Sequence, residues 1–290
     1  MSSTDFLALP RARARKLLEH WDVAEPSDIQ LEAIAIERGL VILEKPINGA
    51  SARLVCTQSG GLIVVDQRIR EIGRKRFAAA HEIGHFELHR RKKPMTICTE
   101  ESFLDWYSQS SVESESNAFA AELLMPEFLF KERCKCDNPS FAVVEKLSDE
   151  FQTTLTATAI RFVQVTHHAC VLMAGHNGKI RWFTCSGSFP HRVLGKGQEL
   201  HEYSCAGEFF REGKVSLSPE LVPGIAWLED YKKGERCQLY EDLRVLSSYG
   251  TSLSLIWIQD DRNYEDPFRS QNPSGLDPDH FTPDGRRYRW

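Results

Sequence analysis

The chain has 290 residues, of which 41% are hydrophobic and 27% charged, with a formal net charge of −5. That balance supports one or two packed domains and supplies no overall positive field for nucleic acid or an anionic membrane. No apolar run approaches the ~18 residues that a bilayer crossing needs, and MSSTDFLALPRARARK has no apolar segment behind a basic end, so a cytoplasmic protein with no membrane association is predicted.

In chain order, residues 8–21 read as a first helix, and Ser27 or Asp28 as the cap of a second, IQLEAIAIERG, stopped by Gly39. VILEK, ARLVC and LIVVD read as short strands, with Gly60-Gly61 as the turn into the third. A helix follows from Arg74 to about His89, then a loop over 91–109, then the helix VESESNAFAAELLM, capped by Ser110 or Ser111 and stopped before Pro126. Residues 127–166 are helical again. Within them FAVVEKLSDEFQTTLTATAIRFVQ has two apolar periodic halves with a polar break, a helix-turn-helix-like pattern. Five basic residues (131, 133, 135, 146, 161) and five acidic ones (132, 137, 145, 149, 150) leave this segment without the surplus positive charge that phosphate contacts require, so helix packing rather than direct DNA binding is expected. From Ala169 the texture becomes strand-like, in ACVLMAG, IRWFTC, KVSL and SLSLIWIQ, with a hairpin turn at His176-Asn177-Gly178. The tail from Arg262, rich in Pro, Asp, Asn and Arg, is expected to be irregular.

The eight cysteines (56, 98, 134, 136, 170, 185, 205, 237) include no CxxC pair and read as free thiols, mostly buried. Cys134 and Cys136 form a CxC without partner ligands nearby, and packing or surface cysteines are expected there. Trp182 and Trp227 could line a pocket with residues 186–197, but a core role is the commoner fate of tryptophan.

The chemistry concentrates in RFAAAHEIGHFELH, from Arg76 to His89. His81-Glu82-Ile83-Gly84-His85 is an HExxH motif: on a helix, positions i and i+4 share a face, so both imidazoles can reach one ion. Glu82 then sits where it can take a proton from a metal-activated water and pass it to a leaving amine. Chance alone produces such a motif in roughly 3% of chains of this composition, so context must support it. A third ligand is needed. His89 lies a further turn along and reads as a histidine that packs or supports a ligand ring from behind, and the longer pattern that adds a third histidine ten residues after the first fails because position 91 is Arg. On the next helix Glu113, Asn117, Ala120 and Leu124 share one face, whereas Glu115 lies roughly 200° around and reads as solvent-facing. Glu113 aimed inward needs a cationic partner, which a metal supplies, and Asn117 could accept a proton from a ligand histidine's other nitrogen. The competing reading of Glu113 is a carboxylate favoured by the helix N-terminus.

RFAAAHEIGHFELH followed about 28 residues on by ESESNAFAAELLMP resembles the ImmA/IrrE family of bacterial zinc metallopeptidases, over roughly residues 8–170 including the GGLIVVD strand. The resemblance implies Zn2+ on His81, His85 and Glu113, with Glu82 as general base. Ser116 stands where alanine is common. It implies an α+β architecture: a zincin-like helical peptidase domain with a short edge sheet over 1–130, a helix-turn-helix-like helical region over 131–168, a GAF-like α/β sensor domain over 169–262 and an irregular tail over 263–290. It further implies an endopeptidase that cleaves a helix-turn-helix transcriptional repressor to release stress or mobile-element genes, with a small-molecule or other signal read by the C-terminal domain. Two alternatives stand beside it: a regulator that binds DNA or protein without cleaving, and the toxin half of a toxin–antitoxin pair. A two-His, one-carboxylate site also accepts manganese or iron.

Overall fold

Short strands and long helices share the first half of the chain, and an antiparallel sheet with one helix occupies the second. The computed structural model describes residues 7–91, 95–99, 112–230, 234, 237–246 and 250–258. The predicted caps at Ser110 or Ser111 and the tail over 263–290 lie outside the described residues. The fold is mixed α and β with two sheets. The chain divides into two compact units, residues 1–135 with 144–161 and residues 136–143 with 162–290.

In the first unit, α1 (Ala8–Leu18) buries Ala14, Leu17 and Leu18. Asp28 does not cap the second helix. Its carboxylate accepts the backbone N–H groups of Ala24 and Glu25 at 3.0 and 2.8 Å and closes a one-turn 3-10 helix, Pro26–Asp28. Then α2 (Leu31–Glu37) starts without a side-chain cap. Three strands follow, β1 (Leu40–Lys45), β2 (Ala52–Cys56) and β3 (Gly61–Asp66), then α3 (Ile72–His89). The expected loop after α3 holds a fourth strand, β4 (Met95–Cys98). The sheet order is β1-β3-β2-β4; β1 and β3 run parallel and the other pairs antiparallel. LIVVD is therefore an interior strand, and among the described residues β4 is an edge.

Alternation sorts the two faces of this sheet. Ala52, Leu54, Ile63 and Val65 are buried, whereas Val41, Leu43, Val55, Met95 and Ile97 are exposed. Helix α3 lies against β2 and β3, α4 (Val112–Leu124) packs across α3, and α1 packs on α4. Two glycines set the closeness of α3. A Cβ on Gly73 would stand 2.4 Å from the Thr153 carbonyl carbon, and one on Gly84 would stand 3.1–3.3 Å from the Phe119 ring and its Cβ.

The predicted helical stretch 127–166 contains α5 (Glu127–Arg133), α6 (Phe141–Phe151) and α7 (Leu155–Val165). The division between the two compact units runs through α6 and α7. Within the first unit a buried ion network ties three helices together. Glu122 on α4, fully buried, accepts from Arg161 of α7 at 2.5 Å and from Arg15 of α1 at 2.7 Å. Arg161, 3% exposed, also donates to the Met125 carbonyl at 3.0 Å. Glu122 is thus a buried carboxylate neutralised by two arginines.

The second unit is a sheet of order β6-β5-β9-β8-β7, antiparallel throughout, with β5 (Cys170–His176), β6 (Lys179–Cys185), β7 (Glu220–Pro223), β8 (Gln238–Leu246) and β9 (Thr251–Trp257). Asn177 and Gly178, both at positive φ, make the predicted hairpin turn. KVSL is not a strand; Leu217 is 95% exposed and β7 begins three residues later. Helix α8 (Cys205–Glu212) is capped by Ser204, whose hydroxyl accepts the Gly207 N–H. At its start the buried Glu241 of β8 accepts four hydrogen bonds, from the N–H groups of Cys205 and Ala206, from Trp227 Nε1 and from Ser254 Oγ, at 2.7–3.1 Å. Burial pushes the Glu241 carboxyl above its usual range, and these donors pull the other way. Trp227 is fully buried in this core; Trp182 is half-buried on β6. Of the segment 186–197, Phe189, Val193 and Leu194 pack against the same core.

Candidate metal centre

HEIGH lies in the middle of α3, where its helical spacing turns His81 and His85 to the same side. Both are buried, as is Glu82 between them. Helix α4 brings Glu113 to the same point. His81 Nε2 and His85 Nε2 are 3.0 Å apart, and Glu113 Oε2 lies 3.2 Å from the first and 3.4 Å from the second. Edges of this length are what a small divalent ion produces: metal–ligand bonds of ~2.0–2.1 Å at tetrahedral angles separate the ligand atoms by about 3.3 Å. Burial pushes the Glu113 carboxyl up, but its contacts with His81 and His85 outweigh that and hold it well below the ordinary carboxylate range.

A second set of contacts fixes these rings. Asn117 Oδ1, one turn after Glu113, lies 2.8 Å from His81 Nδ1. His85 Nδ1 is 3.2 Å from His89 Nδ1, and His89 Nε2 is 2.8 Å from Glu115 Oε2. Glu115 is therefore half-buried and paired rather than solvent-facing. His89 lies beside His85 as a supporting ring, outside the triangle of donor atoms. Such partners orient ligand imidazoles and fix their tautomers.

Glu82 does not join the triangle. Its Oε2 accepts a 2.7 Å hydrogen bond from Thr96 Oγ1 of β4, and its Oε1 is buried without a hydrogen-bond partner of good geometry. Burial pushes this carboxyl above its usual range; His85 and hydrogen bonds from Thr96 and Cys98 oppose the rise. An orphaned carboxylate oxygen in a dry site is costly unless something polar is due to meet it. The donor set, the triangle and this orphaned oxygen all fit a divalent ion with a reactive position beside Glu82.

Two side chains here have no counterpart in the HExxH pattern, Thr96 and Cys98, both on β4. Cys98 Sγ lies 3.5 Å from His85 Nε2 and 4.0 Å from Glu113 Oε2. His81, His85, Cys98 and Glu113 place their ligand atoms within 4.8 Å of one another, and no second such group occurs among the described residues. Cys134 is buried, and Cys136 lies 3.6 Å from His168 Nε2, without further ligands. The only available signal for Cys98 was its distance of 13 residues from His85, which indicates nothing without the strand pairing.

The profile of the IrrE N-terminal-like domain, a peptidase family, matches residues 35–163, which hold HEIGH, Cys98 and Glu113. Among solved structures, a Mycobacterium tuberculosis transcriptional regulator is similar in fold, with a TM-score of 0.55 at 12% sequence identity over 86% of this chain and 76% of that one. No curated protein matches the chain in sequence.

Proposed function

Residues 35–163 belong to the IrrE N-terminal-like peptidase family, and on that premise we propose that the chain is a zinc-dependent endopeptidase acting on a specific protein. The observation that carries this reading is the triangle of His81, His85 and Glu113 with Glu82 beside it. In the proposal His81, His85 and Glu113 hold Zn2+, and Asn117 fixes the tautomer of His81. A bound zinc ion supplies a Lewis acid that polarises the scissile carbonyl and makes water acidic enough to attack it at neutral pH. Glu82 takes the proton of the attacking water on Oε1 and gives it to the departing amine. Thr96 holds the other oxygen of Glu82, so that the free one faces the reaction. Among the described residues β4 ends the sheet order, and its outer edge can accept an extended substrate segment as an added strand.

A helix-turn-helix transcriptional repressor is the proposed substrate, its cleavage switching on stress or mobile-element genes in the cytoplasm. The transcriptional-regulator name of the structural neighbour supports a role in gene control. Direct DNA binding by 131–168 is not proposed, because its five basic residues are balanced by five acidic ones and three of them are engaged: Arg133 with Glu25 and Glu150, Lys135 with Glu132, and Arg161 buried on Glu122. Residues 169–262 are proposed as a GAF-like sensor domain, a reading supported by the five-stranded antiparallel sheet carrying α8. No helix among the described residues is long and apolar enough to cross a membrane. The test is incubation of zinc-loaded protein with the repressor-type protein encoded nearest its gene, read by mass spectrometry. A single cut by wild type and none by Glu82→Gln supports the reading. Equal cutting by both removes Glu82 from the mechanism, and an intact repressor with either protein removes it as the substrate.

A further inference from the structure

We propose that Cys98 is a fourth protein ligand of this metal centre, a thiolate latch carried on an edge strand that closes the site at rest. The inference rests on the metal-centre reading above and deepens it. A tetrahedral ion bound by nitrogen at ~2.0–2.1 Å and by sulfur at ~2.3 Å holds those two ligand atoms about 3.5 Å apart. Cys98 Sγ is 3.5 Å from His85 Nε2 and 4.0 Å from Glu113 Oε2. With all four ligand atoms within 4.8 Å of one another, Sγ lies beside the position that a three-ligand hydrolytic site leaves to water, and a small closing movement completes the tetrahedron.

Charge supports the same assignment. His81, His85 and Cys98 are buried, and Cys98 is 1% exposed. Two neutral imidazoles, one carboxylate and one thiolate neutralise a divalent ion completely, which a low-dielectric site favours. On binding, the S–H bond gives its proton to solvent and the sulfur lone pair fills the fourth position. No oxidation or reduction is involved.

The latch sits on an element that can move at small cost. β4 is four residues long and, among the described residues, lies at the end of the sheet order and pairs with β2, through Ala52↔Cys98 to Val55↔Met95. The backbone of Cys98 is held by one further bond, from the Ser51 N–H at 2.9 Å. A short edge strand gives up fewer hydrogen bonds on shifting than an interior strand such as β3. Thr96, which holds the base Glu82, is on the same strand. A shift of β4 therefore acts on the fourth metal position and on the general base together.

The experiment is cobalt substitution of the full chain, with absorption spectra of wild type, Cys98→Ser, Cys98→Ala and His81→Ala. Wild type is expected to show visible d–d bands together with a near-ultraviolet thiolate-to-cobalt charge-transfer band. Cys98→Ser and Cys98→Ala keep the d–d bands, lose the charge-transfer band and hold cobalt about tenfold or more weakly in chelator competition. Visible bands without the charge-transfer band in wild type, or a charge-transfer band that survives in Cys98→Ala, overturns the latch and leaves the three-ligand site standing. If His81→Ala binds cobalt with the wild-type spectrum, or wild type binds none, the metal-centre reading itself falls and takes the latch with it.

Discussion

Thr96 Oγ1 on β4 donates a 2.7 Å hydrogen bond to Glu82 Oε2 on α3, the two side chains both buried. The bond joins an edge strand to the helix that carries both candidate histidine ligands. It engages one oxygen of Glu82, and the other, Oε1, is buried and available to handle a proton. In Thr96→Val the carboxylate loses a charge-assisted bond worth ~1.5–3 kcal/mol, so cleavage is expected to fall about ten- to a hundredfold. The donor stabilises the charged form, so its loss raises the Glu82 pKa and moves the acid limb of the kcat/KM profile upward in pH. Thr96→Ser restores both rate and profile. A rate loss with an unmoved acid limb would reduce Thr96 to packing.

The Glu122–Arg161–Arg15 network predicts a strong stability effect far from the metal ligands. Glu122→Ala leaves the Arg161 guanidinium buried without its counter-ion, which costs about 3–5 kcal/mol. Urea denaturation is expected to show a lower midpoint with an unchanged slope. A midpoint within a few tenths of a molar of wild type would mean that solvent reaches Arg161.

Gly73→Ala sets two terms against each other. Alanine gains up to ~1 kcal/mol of helix propensity over glycine. Its Cβ would stand 2.4–2.8 Å from three backbone atoms of Thr153, a position no rotamer relieves. Overpacking against backbone costs about 1–3 kcal/mol or more, so net destabilisation is expected in a thermal melt. An unchanged or higher melting temperature would place Thr153 farther from α3.

Asp66 gives the acid side of the stability curve a specific contributor. Hydrogen bonds from Arg68 hold its carboxyl at about 2, below its ordinary 3.8. A depressed carboxyl pKa contributes stability that is fully present above the ordinary value and is lost as pH falls from there through about 2. Asp66→Asn is therefore expected to lower the melting temperature at neutral pH, with the gap to wild type closing across that window. The Arg68 side chain is 56% exposed, so solvent and salt screening keep the effect small. A gap that persists unchanged below pH 2 would mean the loss is not electrostatic.

Local periodicity made some of the site legible and left the rest invisible. His81, Glu82 and His85 are read from one helix because i and i+4 share a face, and Glu113 and Asn117 follow from the same rule on the next helix. Thr96 and Cys98 reach the site only through the pairing of β4 with β2, across some 40 residues, in a four-residue strand too short for a pattern. Glu122 has a polar identity and a buried position because Arg15 and Arg161 neutralise it from distant segments. β8 escaped notice because QLYEDLRVL carries Glu241 and Asp242 at buried positions. Glu241 is satisfied by four donors, and Asp242 by the Phe141 N–H at 2.7 Å and Arg244 at 2.8 Å. KVSL misled in the opposite sense, as an apolar alternation with no partner strand to bury it.

The most direct test of metal-dependent proteolysis is N-terminal proteomics of a native cell extract incubated with zinc-loaded wild type or Glu82→Gln. The account predicts one new N-terminus, or very few, produced by wild type, abolished by a chelator and absent with Glu82→Gln. Equal sets of new N-termini from both proteins, or cleavage that persists in the chelator, would contradict it.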